Sequence, residues 1–194
     1  MALTSNDVVN QAIDLIGDDQ PPVTGFAPTF DSSVAGKAAA LLYRLCVNAV
    51  GRQFGWDFAR NSVALTVTGN APPLGYAYEY AYPMFGGSVA IELYQITPAF
   101  PLNDPNNPIP IDWTVGNNVV SGTQSKVVWT NQQNAVAMVN NNPNESTWDS
   151  LFQQAVVRLL ASSMAMAIAG KPDIAQSMLE SGSAFESLGE MRRD

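Results

Sequence analysis

The run from Ser146 to Leu179 leaves the chain little choice but to form helix. Trp148, Leu151, Phe152, Ala155, Val156, Leu159, Leu160, Ser163, Met164, Ala167 and Ile168 recur every three or four residues, the period of one helix face. Ser146 or Thr147 is expected to cap its start, with Asp149 favourable in the first turn. Gly170 is placed to end it and Pro172 to open a second helix. Ala155, Ala161, Ser162, Ser163, Ala165, Ala167 and Ala169 put small residues on nearly all sides. That predicts close helix contacts on more than one side, within one domain or between neighbouring subunits.

The chain has 194 residues, enough for one domain with a sizeable core. Only 13% of residues are charged, about half the usual share, so the surface is covered by neutral polar residues or buried against partners. Net charge is −8, and Lys126 is the only basic residue between Asn61 and Val157. A phosphate-gripping groove therefore lacks its cations. Cys46 is the single cysteine, which excludes a disulfide framework within the chain and reads as a small core residue. The start, MALTSND, has neither the basic nor the apolar region of a secretory leader. The longest apolar run, Leu159 to Ala169, is shorter than a membrane span of about 20 residues.

Along the chain, Thr4 and Asp7 stand at capping-box spacing before a helix ending at Ile16, with Gly17 as its stop. Asp31 or Ser32 is expected to cap a long helix to about Phe54, buried through Val34, Ala38, Leu41, Leu42, Leu45, Ala49 and Phe54. Strand periodicity follows over Ser62–Thr68 and Ser88–Ile96, in short pieces at Asp112–Val115, Val119–Ser121 and Lys126–Trp129, and over Ala135–Val139. Tyr76, Tyr78, Tyr80 and Tyr82 alternate, which puts four rings on one face of an extended segment. The order predicts an α+β fold: a helical bundle of about four helices with a small antiparallel β domain inserted between the second and third long helices. As one domain of 194 residues, it divides into N-terminal helices (1–58), the β insertion (59–143), a long core helix (144–171) and a C-terminal arm (172–194).

The absence of histidine removes Ser-His-Asp and Cys-His nucleophiles and histidine metal sites. No nucleophile elbow, phosphate loop or dinucleotide fingerprint occurs, so no catalytic, cofactor-binding or metal residue is assigned. Two carboxylates would suffice for glycan hydrolysis, and Glu79 and Glu92 are the best pair, though each reads as a solvated strand residue. Asn103, Asp104, Asn106, Asn107 and Asp112 offer oxygen ligands but lack the glycine and distal glutamate of a calcium loop.

Taken together, Gly55-Trp56-Asp57-Phe58-Ala59, then Tyr78-Glu79-Tyr80-Ala81-Tyr82-Pro83, then Trp148-Asp149 with Phe152, Ala155 and Val156, and finally Ala169-Gly170-Lys171-Pro172 stand in a recognisable order. This order resembles that of the head-to-tail adaptors (tail tubular protein A, or gatekeeper-like connectors) of short-tailed bacteriophages, over nearly the whole chain. The resemblance implies a non-enzymatic virion protein without cofactor. It implies a homo-oligomeric ring matching the portal's twelve-fold symmetry, bound to the portal protein at the head–tail junction. The ring would lengthen the DNA channel, pass DNA without specific binding, and dock tail nozzle or tail fibre proteins. The protein would be made in the host cytoplasm, with no membrane partner. It also implies that residues 172–194 reach into the portal. There Ile174, Met178, Leu179, Phe185, Leu188 and Met191 recur at roughly helical spacing and Arg192 and Arg193 close the chain, while Gly182 and Gly189 interrupt the helix. The residues also leave open a carboxylate-dependent glycan hydrolase of a phage particle, or a monomeric ligand-binding domain.

Overall fold

In the first of two units, Met1–Phe58 with Pro143–Asp194, helix α1 (Ser5–Ile16) begins on the capping box that its spacing predicts. The Asp7 carboxylate accepts the Thr4 N–H at 2.9 Å, the Thr4 hydroxyl accepts from Asp7, and Gly17 closes the helix with a φ of 66°. The structure is a computed structural model that describes residues 2–17, 21–53, 56–85, 88–99, 111–141, 144–169, 173 and 176–177. Strands β1 (Gly25–Phe26) and β2 (Thr29–Phe30) form a small hairpin before helix α2 (Val34–Gln53). Helix α3 (Ser150–Met164) packs along both α1 and α2, which meet each other only slightly. Its Phe152, Val156, Leu160 and Met164 are fully buried among Val8, Ile13 and Ile16 of α1 and Val47 and Val50 of α2.

Phe152 receives three aromatic rings nearly edge-on: Trp148 at 4.8 Å, and Trp56 and Phe58 at 5.1 Å each. The indole of Trp56 donates to the Val50 carbonyl at 3.0 Å, so this ring is also satisfied as a polar group. The separated Trp-Asp-Phe and Trp-Asp-x-x-Phe motifs thus meet in one core cluster.

Four details of these helices correct the expectations. α3 is capped by Asp149, whose carboxylate accepts the Leu151 N–H at 2.8 Å, and residues Glu145–Thr147 form a separate 3-10 turn before it. The helix widens into a π-helical turn at Ala165–Ala169. The N-cap of α2 is Ser33, whose hydroxyl accepts the Gly36 N–H at 2.9 Å, while Asp31 holds Ser33 in place and reaches back to the Thr24 N–H at 2.6 Å. Most consequentially, α2 buries Ala35, Ala39, Tyr43, Cys46, Val47 and Val50, and leaves Val34, Leu41 and Leu45 exposed. Both faces of α2 are apolar, and periodicity alone cannot say which one meets α3. By length and composition, Ser150–Ile168 could cross a membrane, with a mean hydropathy of 1.4. It is longer than the apolar run read from the sequence, and its inward side belongs to the core just described.

The second unit, Ala59–Asn142, is built of strands. They are β3 (Arg60–Ala64), β4 (Tyr78–Ala81), β5 (Met84–Phe85), β6 (Ser88–Val89), β7 (Glu92–Pro98), β8 (Trp113–Val120), β9 (Thr123–Thr130) and β10 (Ala135–Asn140). Two antiparallel three-stranded sheets, ordered β3-β10-β7 and β4-β9-β8, share one core that includes Tyr80, Leu93, Ile96, Val128, Ala137 and Val139. The chain after β3 serves both sheets: the Leu65 N–H bonds the Ala135 carbonyl at 2.9 Å, and the Thr66 carbonyl accepts from Ala81 at 2.9 Å.

Among the described residues there are three α-helices and ten strand segments, so strands dominate and the expected bundle of about four helices is overturned. One physical reason accounts for the predominance of strands. Gly116, Asn117 and Asn118 read as a turn, yet they continue β8 as one strand of eight residues. The real turn is Ser121–Gly122, with φ of 51° and 80°, which closes the β8–β9 hairpin. The fourth helix was expected to open at Pro172, where nearly all residues lie outside those described.

Leu160, at the centre of the helical core, is the sharpest test of this packing. Leu160→Ala is expected to cost about 3 kcal/mol in chemical denaturation followed by helical circular dichroism. Leu41→Ala on the exposed face of α2 should stay within about 0.5 kcal/mol in the isolated subunit. Equal losses would show that the inward face is misassigned.

Candidate functional site

Glu79 is the one carboxylate carried on β4, and the structure reverses its expected exposure: it is 2% exposed. In the ladder β4-β9-β8 it stands beside Trp129, which stands beside Thr114, so their side chains share a face. The Trp129 indole N–H donates to Oε2 at 2.8 Å, and the Asn118 amide donates to the same oxygen at 2.7 Å. The segment after β3 closes over this face, joined to β4 by the Val67–Tyr80 bridge. From it the Thr68 hydroxyl donates to Oε1 at 2.7 Å and the Asn70 amide at 3.0 Å. Each carboxylate oxygen thus accepts two hydrogen bonds, which fills its lone-pair sites. Trp129 reaches this position because Gly116 has no side chain: a Cβ there would come within 2.1 Å of the indole.

Burial opposes ionisation of Glu79, but the hydrogen bonds from Thr68, Trp129, Asn118 and Asn70 outweigh it and hold the group well below the ordinary 4.5, at about 2. A general acid needs a pKa near the working pH, and a nucleophile needs a free lone pair. Glu79 offers neither. Its intended partner Glu92 sits on β7 of the other sheet, within 3.5 Å of the Asn140 amide. No hydrogen bond couples the two acids, and their roles as a hydrolytic pair find no support in this geometry. Both had been read as solvated, and the missed signal was Glu79's place among Tyr78, Tyr80 and a tryptophan strand.

The other candidates fare differently. Tyr78 and Tyr82 pack against the Tyr80 core, but Tyr76 precedes the strand and lies 6.5 Å from the Trp129 ring, so the four tyrosines do not form one row. Lys126 holds its ammonium 5.3 Å from the Tyr82 ring centre. Cys46 is buried, and burial pushes its thiol up, which keeps it protonated and inert. Tyr43 donates to Glu145 at 2.9 Å; burial, and then the nearby carboxylate, push its hydroxyl up. Asp112 is exposed, whereas Asn103, Asp104, Asn106 and Asn107 lie outside the described residues, among which no acidic or sulfur cluster suited to a metal occurs. Ile174, Met178, Leu179, Phe185, Leu188, Met191, Arg192 and Arg193 also lie outside them.

The apolar stripe of α2 through Val34, Leu41 and Leu45, expected to be its buried face, instead faces outward. Val34 and Leu45 are 64% exposed and Leu41 is 74% exposed. With the half-buried Ala38 they span about 60° of arc at 100° per residue, opposite the buried face. Lys37 and Arg44 flank the stripe in solvent.

Glu79→Gln replaces an acceptor oxygen with an amide that faces donors, and is expected to destabilise the strand unit by about 2–4 kcal/mol. The folded carboxyl is the stronger acid, so the unfolded chain takes up its proton first. The stability it contributes is complete above about 4.5 and is lost as pH falls toward about 2. In urea titrations between pH 5 and pH 2, the parent should lose stability more steeply than Glu79→Gln. Parallel losses would show that Glu79 is not the group responsible.

Compared with known proteins, the chain matches no family model and no curated sequence.

Proposed function

We propose that this chain is a non-enzymatic structural subunit of a phage virion, a head-to-tail adaptor. About twelve copies form a ring below the portal protein, lengthen the DNA channel and dock tail nozzle or tail fibre proteins. The observation that carries the reading is the two-faced α2. One apolar face is spent on α3 within the subunit, and the other, Val34, Leu41 and Leu45, remains for a neighbour. Burying each such leucine gives about 1.5–3 kcal/mol, a strong incentive in a chain with so few charges. The motif order that resembles short-tailed phage adaptors supplies the specific assignment.

The electrostatics fit a channel that DNA traverses without being held. The chain carries −8 overall, and Lys126, the only cation between Asn61 and Val157, is occupied over Tyr82. The saturated, strongly acidic Glu79 argues against the hydrolase alternative. A monomeric ligand-binding domain remains the rival that the test must separate. The arm at residues 172–194 keeps its proposed role as the portal contact.

Native mass spectrometry and negative-stain images of the purified chain, alone and with portal rings, test the proposal. Rings of about twelve copies are expected, and Leu41→Asp with Leu45→Asp should abolish them while leaving the subunit folded. A compact monomer that ignores portal rings would overturn the assignment. A second expectation concerns nucleic acid: duplex DNA should bind more weakly than micromolar at physiological salt. A sub-micromolar, steeply salt-dependent affinity would contradict it.

A further inference from the structure

Among the described residues, the outer edge of β8 stands open. Among those residues β8 ends the sheet β4-β9-β8 and pairs with β9 alone, in unbroken register from Trp113–Thr130 to Val120–Thr123. The two-residue turn at Ser121–Gly122 makes Val120–Thr123 a hydrogen-bonded pair. Alternation then directs the N–H and C=O groups of Val119, Asn117, Val115 and Trp113 away from β9. At Val119 these groups are taken: its N–H donates to the Asn118 side chain at 2.8 Å, and its carbonyl accepts from Asn70 at 3.1 Å. At the other end, the strand itself begins at Trp113. Between that start and the stop at Val119, no hydrogen bond among the described residues reaches the outward groups of Trp113, Val115 and Asn117.

Free edges are normally blunted by charge, proline or a bulge. The other edges of these sheets carry such devices: the Val67 bridge covers β4, Arg60 sits on β3, and β7 holds Glu92, a register shift where it meets β10 and a terminal Pro98. β8, Trp-Thr-Val-Gly-Asn-Asn-Val-Val, has none, and its Val115 is 40% exposed.

We propose that this edge pairs with the same edge of a second copy, β8 against β8, antiparallel and two-fold about Val115. The open window is symmetric about that residue. Val115 then meets Val115 of the second copy and Trp113 meets Asn117, so each outward group finds a partner with about six new hydrogen bonds. Because β8 carries no charge, self-pairing sets no like charges opposite each other. The stop at Val119 and the start of the strand at Trp113 select this register, since a slipped pairing would meet groups already used or run off the strand. The contact is isologous and closes at two copies, so it is independent of the ring and of α2.

Sedimentation equilibrium and a cysteine cross-link test it on the full chain. Leu41→Asp with Leu45→Asp, which blocks the proposed ring contact, isolates the β8 contact and should leave a dimer. Adding Asn117→Pro removes an outward N–H that the subunit itself does not use, and should raise the dimer dissociation constant at least tenfold. Val115→Cys should form a disulfide-linked dimer under mild oxidation, because bonded antiparallel partners stand about 5.5 Å apart at Cα. Leu74→Cys, fully exposed on a loop, is the control that should not. If the protein with Leu41→Asp and Leu45→Asp is monomeric to about 100 µM, the edge is unused or kept for a strand of another protein, and the proposal fails. It fails equally if a dimer persists with Asn117→Pro and Val115→Cys cross-links no faster than the control.

Discussion

A carboxylate taken out of water must be given hydrogen bonds or lose its charge, and the strand unit is organised around meeting that demand at Glu79. Its four donors come from three separate parts of the chain: Thr68 and Asn70 after β3, Asn118 in β8, and Trp129 in β9. The carboxylate therefore fastens the covering segment to the sheet. It also explains the composition of β8. Gly116 is there to admit the indole, and Asn118 is there to serve the acid, so a stretch with the look of a turn is held extended. The open edge of β8 follows from the same arrangement, because Asn70 and Asn118 use their remaining polar groups to close its end at Val119.

The helical unit rests on a different constraint, the burial of α3 on two sides. Small residues let α1 and α2 approach it closely, and Phe152 gathers Trp56, Phe58 and Trp148 at one end. Two of the four motifs whose order resembles that of a phage adaptor are thus packing motifs. They bear on the fold of this unit, and the functional reading falls to surfaces: the outward stripe of α2, the acidic balance and the scarcity of cations.

The two proposed contacts differ in kind. An apolar stripe on α2 that meets a different surface of its neighbour generates a ring, whereas β8 meeting itself stops at a pair. One depends on apolar burial and the other on backbone hydrogen bonds, so salt and temperature should act on them differently.

Local signals were legible in the chain wherever neighbours in sequence are also neighbours in space. The capping box of Thr4 and Asp7, the stop at Gly17, the inward stripe of α3 and the inert Cys46 all follow from spacing and composition. Three matters were decided by tertiary contacts. α2 is apolar on two faces, and only the position of α3 determines which is buried. Ser33 displaced Asp31 and Ser32 as the cap because Asp31 is drawn back to Thr24. Glu79 looked like a solvated strand residue because its donors lie up to 50 positions away, and no periodicity records a partner at that distance. The predominance of strands has the same origin: the Gly-Asn-Asn stretch of β8 has turn propensity by itself, and becomes strand because an indole and a buried acid hold it there.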